Sequence, residues 1–377
     1  MRALFAMVLL LGCGDDGAVS PDAPPPDAEP PRPFGIADML APTTDEERAH
    51  VEAEWAARDI TARDVEVLAT GSITLGTVPA TYRVLEHSVD GDRHVGVVVV
   101  PDGLTAPAPV LVYAHGGFTG EAGLPPFDIA SLQTRIPGQP MRSKLVYVVP
   151  AYRGERVAAG GTTYTAEGFT MIGNTDLTDT AALLTAVLES TPMADPDRVA
   201  IFGESRGGMV ALSLGARDKR FALVVDAFGP TDFRLSLAGV DAATFNASVA
   251  AAVMDPTNPA HLVVRSLVPL EAVTVEADGS LTITADGYRE ARRRITATSA
   301  IATPLALPAT QVHHGTADTT SSVESSRELA KAMAAAGRAS PSDLFTYYEY
   351  PGGTHDLASL TGAVGRIAEA ITRVLAP

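Results

Sequence analysis

The strongest chemical signal in this chain is Gly203-Glu204-Ser205-Arg206-Gly207-Gly208. An apolar run ending at Phe202 reads as a strand before it, and Met209 to Leu214 reads as a helix after it. A G-x-S-x-G sequence between strand and helix is a nucleophile elbow, in which a sharp turn lifts the serine hydroxyl clear of the sheet. Gly203 and Gly207 are needed because bulkier neighbours would clash in so tight a bend. The helix that follows aims the positive end of its dipole at the reaction centre. Without that flanking context the same residues would be only a glycine-rich turn packing helix on sheet.

A serine hydroxyl needs a base to take its proton and an acid to orient the base. With this elbow the acid precedes the histidine along the chain. His355, in Tyr350-Pro351-Gly352-Gly353-Thr354-His355-Asp356 after the last strand-like run, is the expected base. His261 falls in an irregular stretch, and His313 and His314 stand before the best acid. That acid is Asp318, which follows the run Val312-His313-His314-Gly315. Asp232, after a strand ending near Ala227, is the alternative acid. The oxyanion donors are expected to be the backbone N–H of Arg206 and that of Gly117 or Phe118, in His115-Gly116-Gly117-Phe118. His115 is expected to brace that loop. His313 and His314, adjacent in a strand, face opposite ways and cannot easily share one ion. No metal site and no cofactor is expected.

These residues need elements to hold them. Tyr82–Val89 and His94–Val100 flank Asp90-Gly91-Asp92-Arg93, a hairpin pattern. Short apolar runs follow at 110–114, 145–149, 198–202, 223–227 and 345–350, as in strands buried on both faces of a parallel sheet. Helical patterns cover Asp45–Ile60, Leu177–Ser190, Val323–Ala336 and Val364–Leu375. The alternation predicts an α/β chain: a mostly parallel, doubly wound sheet with an antiparallel start. Residues 230–300 break the rhythm and read as an inserted cap. The cap carries another hairpin pattern at Val273–Thr284 and the run Arg292-Arg293-Arg294, expected to be a solvated helix face.

The chain has 377 residues and a formal charge of −17, which argues against nucleic acid as a partner. Its 46% hydrophobic content supports a full core. The one cysteine, Cys13, rules out intramolecular disulfides and cysteine-cluster metal sites. Residues 1–12 read as a signal peptide, and Leu10-Leu11-Gly12-Cys13 resembles a bacterial lipobox. The expectation is therefore a protein anchored to the cell envelope membrane by lipid on Cys13, with secretion in soluble form as the alternative. Residues 13–33 are rich in Pro and Asp and read as a solvated spacer. Residues 34–81 form an N-terminal helical and extended segment, and residues 82–377 the main domain. The sequence carries no signal for oligomeric state.

From about Tyr82 to the last residue the chain resembles the catalytic domain of the prolyl oligopeptidase family, within the α/β-hydrolases. The residues that carry the resemblance are His115-Gly116-Gly117-Phe118, Ala151-Tyr152-Arg153-Gly154-Glu155 and Asp195-Pro196-Asp197-Arg198 running on to Gly208. His314-Gly315-Thr316-Ala317-Asp318 and Gly353-Thr354-His355 complete the set. The resemblance implies an α/β-hydrolase fold and a triad of Ser205, Asp318 and His355. It also implies an oxyanion hole around Gly117 and Arg206, and cleavage of peptides or related esters. Family peptidases commonly carry an N-terminal β-propeller, for which residues 34–81 are too few. A small peptide or carboxylic ester is therefore the expected substrate. An acyltransferase on the same triad, or a non-catalytic binding protein of the same fold, are the other readings.

Overall fold

A computed structural model of the chain describes residues 35–375 apart from 118–124, 136–138, 238 and 279. The expected signal peptide, Cys13 and the spacer lie outside the described residues, as does Phe118. Among the described residues no helix is long and apolar enough to cross a membrane.

Among the described residues, nine strands form the main sheet. They are β1 (Arg63–Leu75), β2 (Val78–Val89), β3 (Asp92–Pro101), β4 (Ala108–Ala114), β5 (Val146–Pro150), β6 (Ala194–Glu204), β7 (Phe221–Ala227), β8 (Ala309–Gly315) and β9 (Phe345–Tyr350). Their spatial order is β1-β2-β3-β5-β4-β6-β7-β8-β9. The pairs from β1 to β3 and on to β5 are antiparallel. Every pair from β5 to β9 is parallel. This is the α/β-hydrolase fold with an antiparallel start.

The central strands read as unbroken apolar runs because both faces are covered. On β4, Val110 and Val112 join one core while Leu111 and Tyr113 join the other. On β6, Val199 and Ile201 are similarly separated from Ala200 and Phe202. Helices α1 (Asp45–Ala56), α2 (Thr175–Ser190), α3 (Arg206–Arg217), α4 (Ala242–Met254), α5 (Ala285–Ala297), α6 (Val323–Ala335) and α7 (Ala363–Leu375) accompany the sheet. Apolar residues of α2, α3 and α6 fill the first core, and Ile367, Ile371 and Leu375 of α7 fill the second.

Three sequence readings need adjustment. First, the extended part of residues 34–81 holds strand β1, whose bounds the sequence does not mark. Most of it is exposed, so it lacks the burial that leaves an apolar pattern. Second, the helix expected over Asp45–Ile60 stops at Ala56, and Arg58 beyond it donates to Asn174 and Thr178. Third, Arg292-Arg293-Arg294 is not a solvated face. Arg292 is buried and donates to the carbonyls of Asp38, Ala41 and Pro42 and to Glu47. Arg293 pairs with Glu54 and Glu290, and Arg294 with Glu290. The acidic helix α1 supplies Glu47 and Glu54 to Arg292 and Arg293, while Glu290 of α5 itself holds Arg294.

The insert after β7 begins at Pro230. It holds a short helix, Phe233–Leu237, then α4, the helix Leu262–Leu267, the antiparallel pair Val273–Val275 and Leu281–Ile283, and α5.

Candidate active site

Strand β6 ends at Glu204 and α3 begins at Arg206, so Ser205 alone makes the turn. Its φ of 56° and ψ of −122° lie where non-glycine residues are strained, at a cost of about 1–3 kcal/mol. The Ser205 N–H donates to the Ala227 carbonyl at 2.9 Å, which ties the bend to β7. A Cβ on Gly203 would collide with the Gly207 carbonyl, and one on Gly207 with the Ala114 carbonyl. Both glycines are therefore dictated by close backbone approach. The Ser205 carbonyl already accepts from Gly208 and Met209 N–H, at 2.8 and 3.2 Å. The Arg206 N–H sits in the first turn of α3, where helical geometry offers it no partner.

The loops after β8 and β9 are sewn together. Thr316 N–H donates to Tyr350 O at 2.9 Å, Ala317 N–H to Gly353 O at 2.8 Å and Gly352 N–H to Thr316 Oγ1 at 2.8 Å. This brings His355 between Asp318 and Ser205. His355 Nδ1 lies 2.7 Å from Asp318 Oδ2, and its Nε2 lies 2.8 Å from Ser205 Oγ. With a carboxylate at Nδ1 and a hydroxyl at Nε2, the neutral ring donates from Nδ1 and accepts at Nε2. The Phe228 ring, 4.5 Å from the imidazole centroid, packs against it.

Burial alone would raise the Asp318 carboxyl, but the Ser321 N–H, the His355 ring and the Thr320 N–H outweigh it and hold the pKa below the ordinary value. The carboxylate has a further partner that sequence reasoning did not find. His314 Nε2 approaches Asp318 Oδ2 at 3.3 Å and the Ser321 carbonyl at 2.9 Å, while Ser326 Oγ lies 2.7 Å from Nδ1. Two acceptors at Nε2 fix the proton there, so Ser326 donates to Nδ1. Two imidazoles thus share one carboxylate oxygen. His313 points to the other side, toward Tyr350 and Gln311.

Asp232 is not beside the imidazole's Nδ1. Its carboxylate pairs with Arg234 and accepts from Ser299 Oγ at 2.7 Å. His261 engages the Asp255 carbonyl, within the insert.

Arg206 reaches Gly117 through its side chain. The Arg206 guanidinium donates to the Gly117 carbonyl at 3.0 Å. It also bonds Thr170 and both oxygens of Asp176, at 2.8 to 3.0 Å, and contacts Glu155. Its carbon lies 4.6 Å from the Tyr152 ring centroid. Burial alone would lower the guanidinium's pKa, but Asp176 and Glu155 reverse that and keep it charged. The buried cluster therefore clamps the Gly117 loop to the start of α3. Glu155 stands in the Ala151–Glu155 motif, but nothing in the sequence marked Asp176 as its companion. His115 is buried between Phe127 and Tyr152, with the Tyr152 hydroxyl donating to its carbonyl at 3.2 Å.

A hydroxyl on a strained turn, an imidazole within hydrogen-bond reach and a carboxylate behind it can carry out nucleophilic acyl transfer. A family model described as prolyl oligopeptidase family matches residues 139–369, more than half of the chain. Among solved structures, acetyl xylan esterase 1 from Thermoanaerobacterium sp. aligns with a TM-score of 0.54 at 14% identity, covering 91% of this chain and 99% of that one. Acylaminoacyl peptidase from Pyrococcus horikoshii aligns at 0.49 and 14% identity, covering 82% of this chain and 49% of that one. The chain thus spans about half the length of that peptidase. S-formylglutathione hydrolase from Agrobacterium tumefaciens aligns at 0.48 and 16% identity, covering 82% and 99%. The first of these likenesses supports the fold alone. No curated protein matches the chain in sequence.

Proposed function

The chain belongs to the prolyl oligopeptidase family, and from that premise we propose that it is a serine hydrolase acting through an acyl-enzyme on Ser205. The observation that carries the reading is the unbroken line from Asp318 through His355 to the Ser205 hydroxyl, with contacts of 2.7 and 2.8 Å.

In the first step Ser205 Oγ attacks the substrate carbonyl carbon while His355 Nε2 takes the hydroxyl proton. Asp318 accepts from Nδ1–H and stabilises the imidazolium that forms. The tetrahedral oxyanion receives the N–H groups of Arg206 and Gly117. The carbonyl re-forms, the bond to the leaving alcohol or amine breaks, and His355 returns the proton to that group. Water then repeats the sequence on the acyl-enzyme, releasing a carboxylic acid and restoring Ser205. Esters are the easier substrates because an alkoxide leaves more readily than an amide nitrogen. Carboxylic esters are therefore the proposed test substrates, with short peptides the second class.

Mixing the protein with a p-nitrophenyl ester is expected to give a burst of p-nitrophenolate no larger than the enzyme concentration, followed by slower turnover. Ser205→Ala is expected to abolish the burst and lower kcat by roughly 10⁴–10⁶-fold without changing the melting temperature. Turnover by the folded Ser205→Ala protein close to wild type would remove Ser205 from the mechanism.

A further inference from the structure

A cavity of about 440 Å³ opens beside Ser205. Ser205, Arg206 and Gly117 line it. The insert supplies Pro230, Phe233, Leu262 and Val263 to the lining, and Ile172 is added from the core domain. A leaving group must reach His355 Nε2 to collect its proton, so it occupies the imidazole side of the serine. A cavity lined by the nucleophile and by the candidate oxyanion donors offers its room to the acyl side, whose carbonyl those donors hold.

The chemistry of the walls then restricts the acyl group. Of the described residues that line the cavity, the one charged side chain is Arg206, and its guanidinium is already bound to Asp176, Glu155, Thr170 and the Gly117 carbonyl. The remaining polar contributions are the neutral Ser236, Thr320 and Ser321. A carboxylate or ammonium carried in by the acyl chain would lose water and find no counter-charge there. An alkyl chain would instead exchange water for Phe233, Leu262 and Val263.

We infer that the insert builds an acyl-selecting pocket, and that this chain acts on uncharged, apolar acyl groups longer than acetyl with little regard for the leaving alcohol. The inference rests on the reading of Ser205 as the acylated hydroxyl. It makes Phe233, Leu262 and Val263 specificity determinants.

The test is kcat/KM of the full chain on p-nitrophenyl acetate, butyrate, hexanoate, monosuccinate and aminohexanoate, and on hexanoyl esters of several alcohols. Each buried methylene is worth up to roughly fourfold. Hexanoate should therefore exceed acetate by at least about tenfold, and both charged esters should fall at least about a hundredfold below hexanoate. Varying the alcohol among esters of similar reactivity should change the rate less than varying the acyl chain. Val263 is 40% exposed, so Val263→Asp should fold, and it should raise the aminohexanoate-to-hexanoate ratio by about tenfold or more. Leu262→Ala should lower the hexanoate-to-acetate ratio. A flat acyl profile, a preference for a charged acyl group, or ratios unmoved in both variants would overturn the pocket while leaving the serine hydrolase in place. No hydrolysis of any ester together with no labelling of Ser205 by a fluorophosphonate would overturn the hydrolase reading itself, and the pocket with it.

Discussion

The elbow at Ser205 and the insert over residues 230–300 are specified in different ways. The elbow is local. Its glycines, its strand and its helix are contiguous, and each glycine answers a backbone collision that any side chain would cause. The insert is held at long range. Its basic run reaches Glu47 and Glu54, more than two hundred residues earlier, and Arg234 and Asp232 meet Ser299 across its two ends. The comparison separates two properties. Reaction type follows from the local rules, and substrate preference follows from a wall that long-range ion pairs hold in position.

The most damaging change expected at the reaction centre short of removing Ser205 is Asp318→Asn. It should lower kcat by about 10⁴-fold, because the amide favours the wrong imidazole tautomer. Asp232→Asn weakens the Arg234 pair instead, so it should lower the melting temperature and leave kcat within about tenfold. The reverse outcome in steady-state kinetics would move the acid to the insert side and collapse the distinction between the two regions.

The buried imidazoles of the core domain should also respond to acid. Burial pushes His87 down to about 4 and His313 down to about 3, and lowers His94, His115 and His314 as well. The unfolded chain binds these protons near pH 6.5, whereas the folded chain refuses them until lower pH. Their contribution to stability is therefore full above about pH 6.5 and falls as the pH drops toward 4, by on the order of 3 kcal/mol from His87 alone. Buried Asp179, pushed up to about 7, acts in the opposite sense across the same window. Urea unfolding at stepped pH, on the wild type and on His87→Gln, isolates the imidazole's share. The same pH dependence in both proteins would mean that the His87 imidazole is not held neutral.

The smallest effect is expected at the far side of the insert. Arg292→Ala removes the donor to Glu47 and three carbonyls, and should cost about 2 kcal/mol. Small-ester kcat should stay near wild type. A large loss of kcat would show that the insert's mounting and the reaction centre are one unit.

Much of the reaction centre was legible because it obeys chain-order and turn rules. Ser205, Asp318 and His355 could each be chosen from neighbours in sequence, and the structure brings the three together. What stayed hidden depends on pairing across distance. His314 looked like one of two histidines in a strand, and only the register shows that it shares Asp318 Oδ2 with His355. Arg206 was legible through its backbone N–H, but its side chain's hold on Gly117, Asp176 and Glu155 needed the fold. Arg292 read as solvated because the acidic helix that buries it is remote in sequence. β1 left too little apolar pattern because it is mostly exposed.

The most direct measurement is fluorophosphonate labelling of the folded protein, followed by peptide mapping. One phosphonyl group should appear, on the peptide containing Ser205, and the rate of its appearance should fall by several orders of magnitude in His355→Ala. A label on another residue, or equal rates in the two proteins, would contradict a serine activated by that imidazole.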